Sequence, residues 1–160
     1  MATESSFEDF FERYHRRLFA GLCLVTGSRD EAEDVMQEAF LQVWQRWDRI
    51  CRMDQPAGYL FRTAMNLTRQ RGRRAALALK RAAGLAPEPD AFAQVDDRDE
   101  LIRAMRPLAP RERAAIVLTA LEEYSSSEAG EMLGIADSTV RVLAGRARTS
   151  MRSSIGSDQR

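Results

Sequence analysis

The sequence predicts an all-α protein, two small helical domains joined by a flexible linker, on three observations. No stretch sustains the apolar–polar alternation of a strand, while the strong helix formers Ala, Leu and Arg dominate the composition. Ser-x-x-Glu capping boxes recur directly ahead of apolar stripes spaced at 3.6 residues. Between residues 76 and 98 that periodicity stops at Gly84, Pro87 and Pro89 and gives way to acidic residues, dividing 1–75 from 99–160. Domains that small hold little core, so each leans on the other or on a partner.

In the first domain, Ser5 and Glu8 form a capping box for a helix through Phe7, Phe10, Phe11 and Tyr14 toward Val25. Thr26-Gly27-Ser28 breaks it, and Ser28 with Glu31 caps the next. That second helix aligns Ala32, Val35, Met36, Ala39, Phe40, Val43, Trp44 and Trp47 on one stripe, read as core. Its other face presents Asp30, Glu33, Asp34, Gln37, Glu38 and Gln42, either solvated or a surface for a basic partner. A polar stretch from Asp48 to Gln55 follows, and Pro56 suits the first turn of a third helix. There Leu60, Ala64 and Leu67 mark the buried side, while Arg62, Asn66, Arg69 and Arg73 line the opposite one. Tyr59 and Phe61 stand near its start. Flat rings beside a guanidinium stripe suit single-stranded nucleic acid.

The second domain reads as a helix-turn-helix. A short helix over Asp99–Arg106 stops at Pro107, and Pro110 opens another with Ile116, Val117, Ala120, Leu121 and Tyr124 inward. Ser125 and Glu128 form a third capping box for a short helix that Gly134 ends. Asp137 is a good N-cap for a final helix through Arg152. Two helices joined by a short turn containing Gly are the motif's signature. On the last helix Val140, Leu143, Ala147 and Met151 face inward, and Ser138, Arg141, Gly145, Arg148 and Arg152 outward. Residues at the N-terminal end of such a helix read base edges while basic groups grip phosphate.

Charge sharpens this picture. The 24 basic residues, 23 Arg and the single Lys80, cancel 24 acidic ones. Yet residues 61–86 carry seven basic and no acidic side chains, and 87–100 carry six acidic and one basic. The first block can follow a phosphate backbone, and the second can imitate one. Enzymatic readings start without support: a hydrolytic triad, a phosphate loop and a paired-carboxylate motif are missing. Cys23 and Cys51 make no CxxC pair and share the chain with one histidine, His15, so no metal site or cofactor is expected. No apolar run spans a bilayer and no secretory signal is visible, which fits a cytoplasmic protein.

Taken together these residues resemble the extracytoplasmic-function (ECF, group IV) sigma factors of RNA polymerase. Asp30-Glu-Ala-Glu-Asp-Val-Met-Gln-Glu-Ala-Phe-Leu-Gln-Val-Trp44 is similar to the stretch of sigma region 2 that docks on core polymerase. Pro56-Ala-Gly-Tyr-Leu-Phe-Arg-Thr-Ala-Met-Asn66, with the Arg series beyond it, is similar to the segment that captures the melted −10 element. Leu108 to Arg113 and Glu128 to Arg148 resemble the −35-binding region 4.

The resemblance implies an alternative sigma factor that directs promoter-specific initiation and is itself no enzyme. Residues 1–75 would be region 2, 76–98 the linker and 99–160 region 4. It implies contacts from Asp34, Gln37 and Glu38 to the beta and beta-prime subunits of core polymerase. Tyr59, Arg62, Asn66, Arg69, Arg71, Arg73 and Arg74 would hold −10 DNA, with the Arg49–Gln55 loop accepting an extruded base. Ser138, Thr139, Arg141, Val142, Arg146 and Arg148 would meet the −35 element. The acidic 87–100 segment would thread the polymerase cleft, and an anti-sigma factor would hold the protein in check.

Several positions depart from the pattern, among them Gln70 for a usual Asp, Gly72 for a usual Leu, and Leu143 and Ala144 for a usual Arg and Leu. Gly130 replaces a customary Ala, at an expected cost of about 1 kcal/mol in helix propensity. Gly145 weakens the last helix in the same way. Two other readings remain open here, a sigma mimic that sequesters an anti-sigma factor and a stand-alone helix-turn-helix regulator. Anti-sigma binding without core binding would favour the mimic, and operator binding without polymerase the regulator.

Overall fold

The computed structural model describes residues 6–82 and 100–157, and every regular element among them is helical. Helix α1 (Phe7–Thr26) is capped by Ser6 rather than Ser5, which lies outside the described residues; the Ser6 hydroxyl accepts from the Asp9 N–H at 3.1 Å. Gly27, at φ 70°, ends it with a left-handed residue that donates to the Cys23 carbonyl.

Helix α2 (Arg29–Gln45) starts at the expected Ser28 cap and buries Ala32, Val35, Ala39, Phe40 and Val43. Trp44 leaves the predicted stripe and is 58% exposed. The chain bends at Arg46 into a short α3 (Trp47–Ile50), and Trp47 takes the inner place, its ring 5.0 Å from Phe10 and 5.7 Å from Phe7. Ile50 is fully buried, inside a stretch read from sequence as a polar loop.

Helix α4 (Pro56–Arg81) begins with Pro56 in its first turn and buries Leu60, Phe61, Ala64, Met65 and Leu67. It runs six residues into the expected linker, because the Ala- and Leu-rich 75–79 stretch offers no breaker. From residue 83 on, that linker lies outside the described residues.

The second half comprises α5 (Glu100–Met105), α6 (Pro110–Ile116), α7 (Ser126–Leu133) and α8 (Asp137–Ser157). A π-helical turn, Val117–Leu121, continues α6 and corrects the inward face predicted there. The wider turn inserts one residue, so Leu118 and Glu122 point inward, while Ala120 and Leu121 come out to solvent. Its bonds are long-range for a helix: Glu122 N–H to Val117 O and Tyr124 N–H to Leu118 O, both 3.0 Å.

The Ser125–Glu128 capping box forms as read, with reciprocal bonds of 3.1 and 2.8 Å. Gly134 takes the left-handed conformation at φ 68°. Asp137 sits in the first turn of α8 rather than before it; the Ala136 carbonyl receives the opening bond from Val140. Gly130 also reads differently in place. A Cβ there would lie 2.7 Å from the Ile135 carbonyl oxygen, so its lack of a side chain lets the turn fold back onto α7.

The two halves share one core. A single cluster of buried side chains runs from Phe10, Leu18 and Leu22 through Leu60 and Phe61 to Leu118, Met132 and Val140. Between the halves, α4 packs on α7, and α1 on α6 and the π turn. Gly21 lies at the second contact, where a Cβ would meet Val117 Cγ1 at 3.4 Å, an ordinary van der Waals distance. The Phe61 and Tyr124 rings meet edge to face at 5.8 Å.

Candidate nucleic-acid and polymerase interfaces

Three surfaces carry the residues singled out by sequence. The first is the outer side of α4. Its apolar positions are spent on the core, which leaves Arg62, Arg69, Arg73 and Arg74 exposed. Asn66 is half-buried, and its Oδ1 accepts from Arg69 Nη2 at 3.3 Å. The Tyr59 hydroxyl accepts from Arg46 Nη1 at 3.0 Å, and sequence gave no hint of that partner.

Arg71 departs from this set. It turns toward α2, with Nη2 3.5 Å from a Glu38 oxygen and Nη1 3.7 Å from an Asp34 oxygen. Exposed pairs of this kind contribute about 1 kcal/mol at most. The geometry therefore ties one expected −10 residue to two expected polymerase contacts. From Gly72 to Lys80 every residue of α4 is exposed, including Leu77 and Leu79.

The second surface is the outer face of α2. Asp34 and Gln37 are exposed and Glu38 half-buried. Leu41 and Trp44, 52% and 58% exposed, continue the same face one and two turns on. Sequence placed Trp44 in the core and passed over Leu41. A one-residue offset from a buried stripe is too fine for periodicity to resolve when the helix ends in a bend. Acidic groups and two large exposed apolar side chains therefore share this face.

The third surface is the start of α8. Ser138, Thr139, Arg141, Val142, Arg146 and Arg148 are all exposed. Asp137 holds Arg141 Nη1 at 3.0 Å and accepts from the Ser138 N–H at 2.8 Å. The Arg141 hydrogen bond first, then the Ser138 amide, hold the Asp137 carboxyl below its ordinary range. Ala144, unlike the outward-reading neighbours, is buried at 3% exposure, with Leu143 packed half-buried beside it.

The structure also brings together what sequence kept apart. Arg69 Nη1 donates to the Leu133 carbonyl at the end of α7, 3.1 Å away. Arg17 of α1 pairs with Glu122, whose side chain is almost fully buried, and its Nη2 reaches the Glu122 carbonyl at 3.4 Å. Burial raises the Glu122 carboxyl above its ordinary range, offset in part by the Arg17 charge. A cleft of about 470 Å³ lies between the halves, bordered by Met53, Asp54 and Gln55 on one side and Glu122, Glu123 and Glu128 on the other. Among the described residues no group of His, Cys, Asp and Glu is arranged to hold a metal, and no helix is long and apolar enough to cross a membrane.

Comparison with known proteins gives this geometry its context. Residues 10–77 match the family model for sigma-70 region 2, and residues 98–151 that for sigma-70 region 4. The chain is 31% identical to the ECF RNA polymerase sigma factor SigM of Mycobacterium tuberculosis over 153 residues, covering 94% of this chain and 78% of the relative. It is 29% identical over 124 residues to the RNA polymerase sigma-E factor of Streptomyces coelicolor, covering 76% and 70% respectively. In fold it is similar to the sigma factor RpoE of Bartonella quintana, solved in complex with the anti-sigma factor NepR. That match has a TM-score of 0.77 at 22% identity over 96% of this chain. Proteins of this family are recognition subunits that bind core RNA polymerase and promoter DNA, and the polymerase performs the chemistry. With both sigma-70 regions matched in order and a relative 31% identical over 94% of this chain, the chain belongs to the ECF sigma factors of RNA polymerase.

Proposed function

We propose that this sigma factor divides promoter recognition between its two halves. Residues 1–75 dock on core polymerase and capture the melted −10 element, residues 99–160 contact the −35 element, and 76–98 join them. The observation that carries this reading is the arrangement of α2 and α4. One short bundle presents an acidic and apolar face on α2 for protein and, on the packed α4, an arginine-lined face for nucleic acid.

Asp34, Gln37 and Glu38, with Leu41 and Trp44, meet the beta and beta-prime subunits. Tyr59, Arg62, Asn66, Arg69, Arg73 and Arg74 hold the −10 strand. Arg71 joins them by releasing its exposed pairs with Asp34 and Glu38. The exposed start of α8, from Ser138 and Thr139 through Arg141 and Val142, faces the −35 bases, with Arg146 and Arg148 on phosphate. Here Asp137 positions the Arg141 fork, which suits bidentate recognition. The protein works beside polymerase in the cytoplasm. An anti-sigma factor restrains it, as NepR binds the similarly folded RpoE.

Sequencing the transcripts made in vitro by core polymerase with this protein tests the proposal. Discrete start sites sharing a −10 and a −35 motif are expected. Promoter-independent transcripts, or no binding to core, would overturn it.

A further inference from the structure

We propose that Arg46 is a positioning residue for −10 recognition: its guanidinium holds the Tyr59 hydroxyl and so fixes the ring that meets the melted strand. The role of that ring rests on the function proposed above; the fixing of it does not.

Arg46 stands where α2 stops and α3 begins, and its backbone groups are fully engaged there. Its N–H donates to the Val43 carbonyl at 3.1 Å, and its own carbonyl accepts from the Arg49 and Ile50 N–H groups at 3.1 and 3.0 Å. Beyond the bend the Trp47 ring packs against Phe10, and Ile50 is fully buried. A side chain leaving a bend pinned in this way starts from a fixed point, so only its own rotamers remain to be set. The Arg46 side chain is exposed and pairs with no carboxylate among the described residues; its Nη1 donates instead to the Tyr59 hydroxyl at 3.0 Å.

Tyr59 has use for such a partner. It lies near the start of α4, half-buried at the edge of the core, and its backbone carbonyl accepts from the Thr63 hydroxyl at 2.8 Å. A ring half in water can turn between staggered wells, and a turning ring must be ordered each time it stacks on a base. A hydrogen bond from a charged donor, stronger than a neutral one, holds the outer end of the ring in one well. It also directs the hydroxyl: with the guanidinium on one side of the oxygen, the O–H points away and is free to donate to a base or phosphate. The planar guanidinium suits this task, because little of its freedom is lost for each bond it forms. Arg46 comes from another helix end, 13 residues before Tyr59, so the arginine stripe of α4 does not include it.

The first test needs no DNA. Three-bond couplings across the Cα–Cβ bond of residue 59, measured by NMR on the full chain, should report one rotamer in wild type. They should average in Arg46→Ala with helicity unchanged. Tyr59→Phe, which removes the acceptor and leaves Arg46 in place, should free the ring equally. Averaged couplings in wild type, or unaveraged couplings in both variants, would overturn the positioning role.

The second test reads the strand. Core polymerase loaded with this protein is titrated with a labelled single strand carrying the −10 motif that transcript sequencing yields, followed by anisotropy. Arg46→Ala and Tyr59→Phe should each weaken binding about fivefold, and the double variant should be no weaker than either. Arg73→Ala combined with Tyr59→Phe should instead multiply the two losses, since Arg73 grips the strand by itself. Multiplied losses for Arg46 and Tyr59 would make Arg46 an independent ligand and overturn the proposal. Loss of core binding by Arg46→Ala would overturn it too, by placing Arg46 on the docking face. If Tyr59→Ala binds the strand as wild type does, the assignment of Tyr59 to the −10 strand fails, and with it the functional half of the proposal. The couplings would still decide whether Arg46 fixes the ring.

Discussion

Gly130 and Gly145 both lie in the helix-turn-helix, and by helix propensity alone replacing either with Ala gains about 1 kcal/mol. The structure separates them. At Gly130 an added Cβ meets the Ile135 carbonyl at 2.7 Å, whereas at Gly145 nothing lies within 4 Å. Gly145→Ala should therefore raise the melting temperature by about 2–4 °C, and Gly130→Ala should lower it. Calorimetry of the two variants decides between local propensity and the close approach of the turn.

Tyr124 adds a residue-level test in pH. Burial, then the charge of Glu122, push its phenol up to about 12 from its ordinary 10. The folded state thus holds the proton more tightly than the unfolded chain does. Its contribution to stability is complete below pH 10 and is lost as pH rises through 12. Ultraviolet titration should show a tyrosinate step near pH 12 that Tyr124→Phe removes. In denaturant melts, that variant should lose less stability between pH 10 and 12 than wild type. An unchanged melt would contradict the assigned burial.

At the scale of the element, the proposed function assigns α2 and α4 different partners, so their roles should separate by mutation. Trp44→Ala removes an exposed side chain and should leave the fold intact while weakening core-polymerase binding. Arg73→Ala, on the outer side of α4, should slow promoter opening and leave core binding unchanged. Pull-down on core polymerase and a promoter-opening assay on the same two proteins measure the split. Loss of core binding by Arg73→Ala, or of helicity by either variant, would point to misfolding.

The elements also show how far periodicity reaches. The starts of α2, α4 and α7 were legible because Ser28, Pro56 and the Ser125–Glu128 box act within one turn of the chain. The π turn was not. A strict 3.6-residue reading from Ile116 put Ala120 and Leu121 inside, and a single inserted residue reversed both. Nothing local in Val117–Leu121 announces the insertion; packing against α1, where Gly21 meets Val117, accompanies it. The same limit moved Trp44 outward and Trp47 inward at the Arg46 bend.

For the whole molecule, the net charge of zero is a sum of opposed surfaces. The arginine stripe of α4 is balanced within its own half by the acidic side of α2, and Arg71 bridges them. The second half adds carboxylates that border the cleft and an exposed recognition helix. Two domains of this size have limited core, and the structure answers by merging their cores into one.

The sequence by itself determined the helical class, the order of the two regions, most helix boundaries, and where basic and acidic side chains gather along the chain. Caps, prolines and apolar spacing act over a few residues, so they are written locally. Only the tertiary structure decided that Glu122 is buried against Arg17, that Arg69 is engaged by α7, and that Gly130 is required by a turn. Those contacts join residues from 5 to 105 positions apart, and no local spacing records which distant side chain will fill a given place.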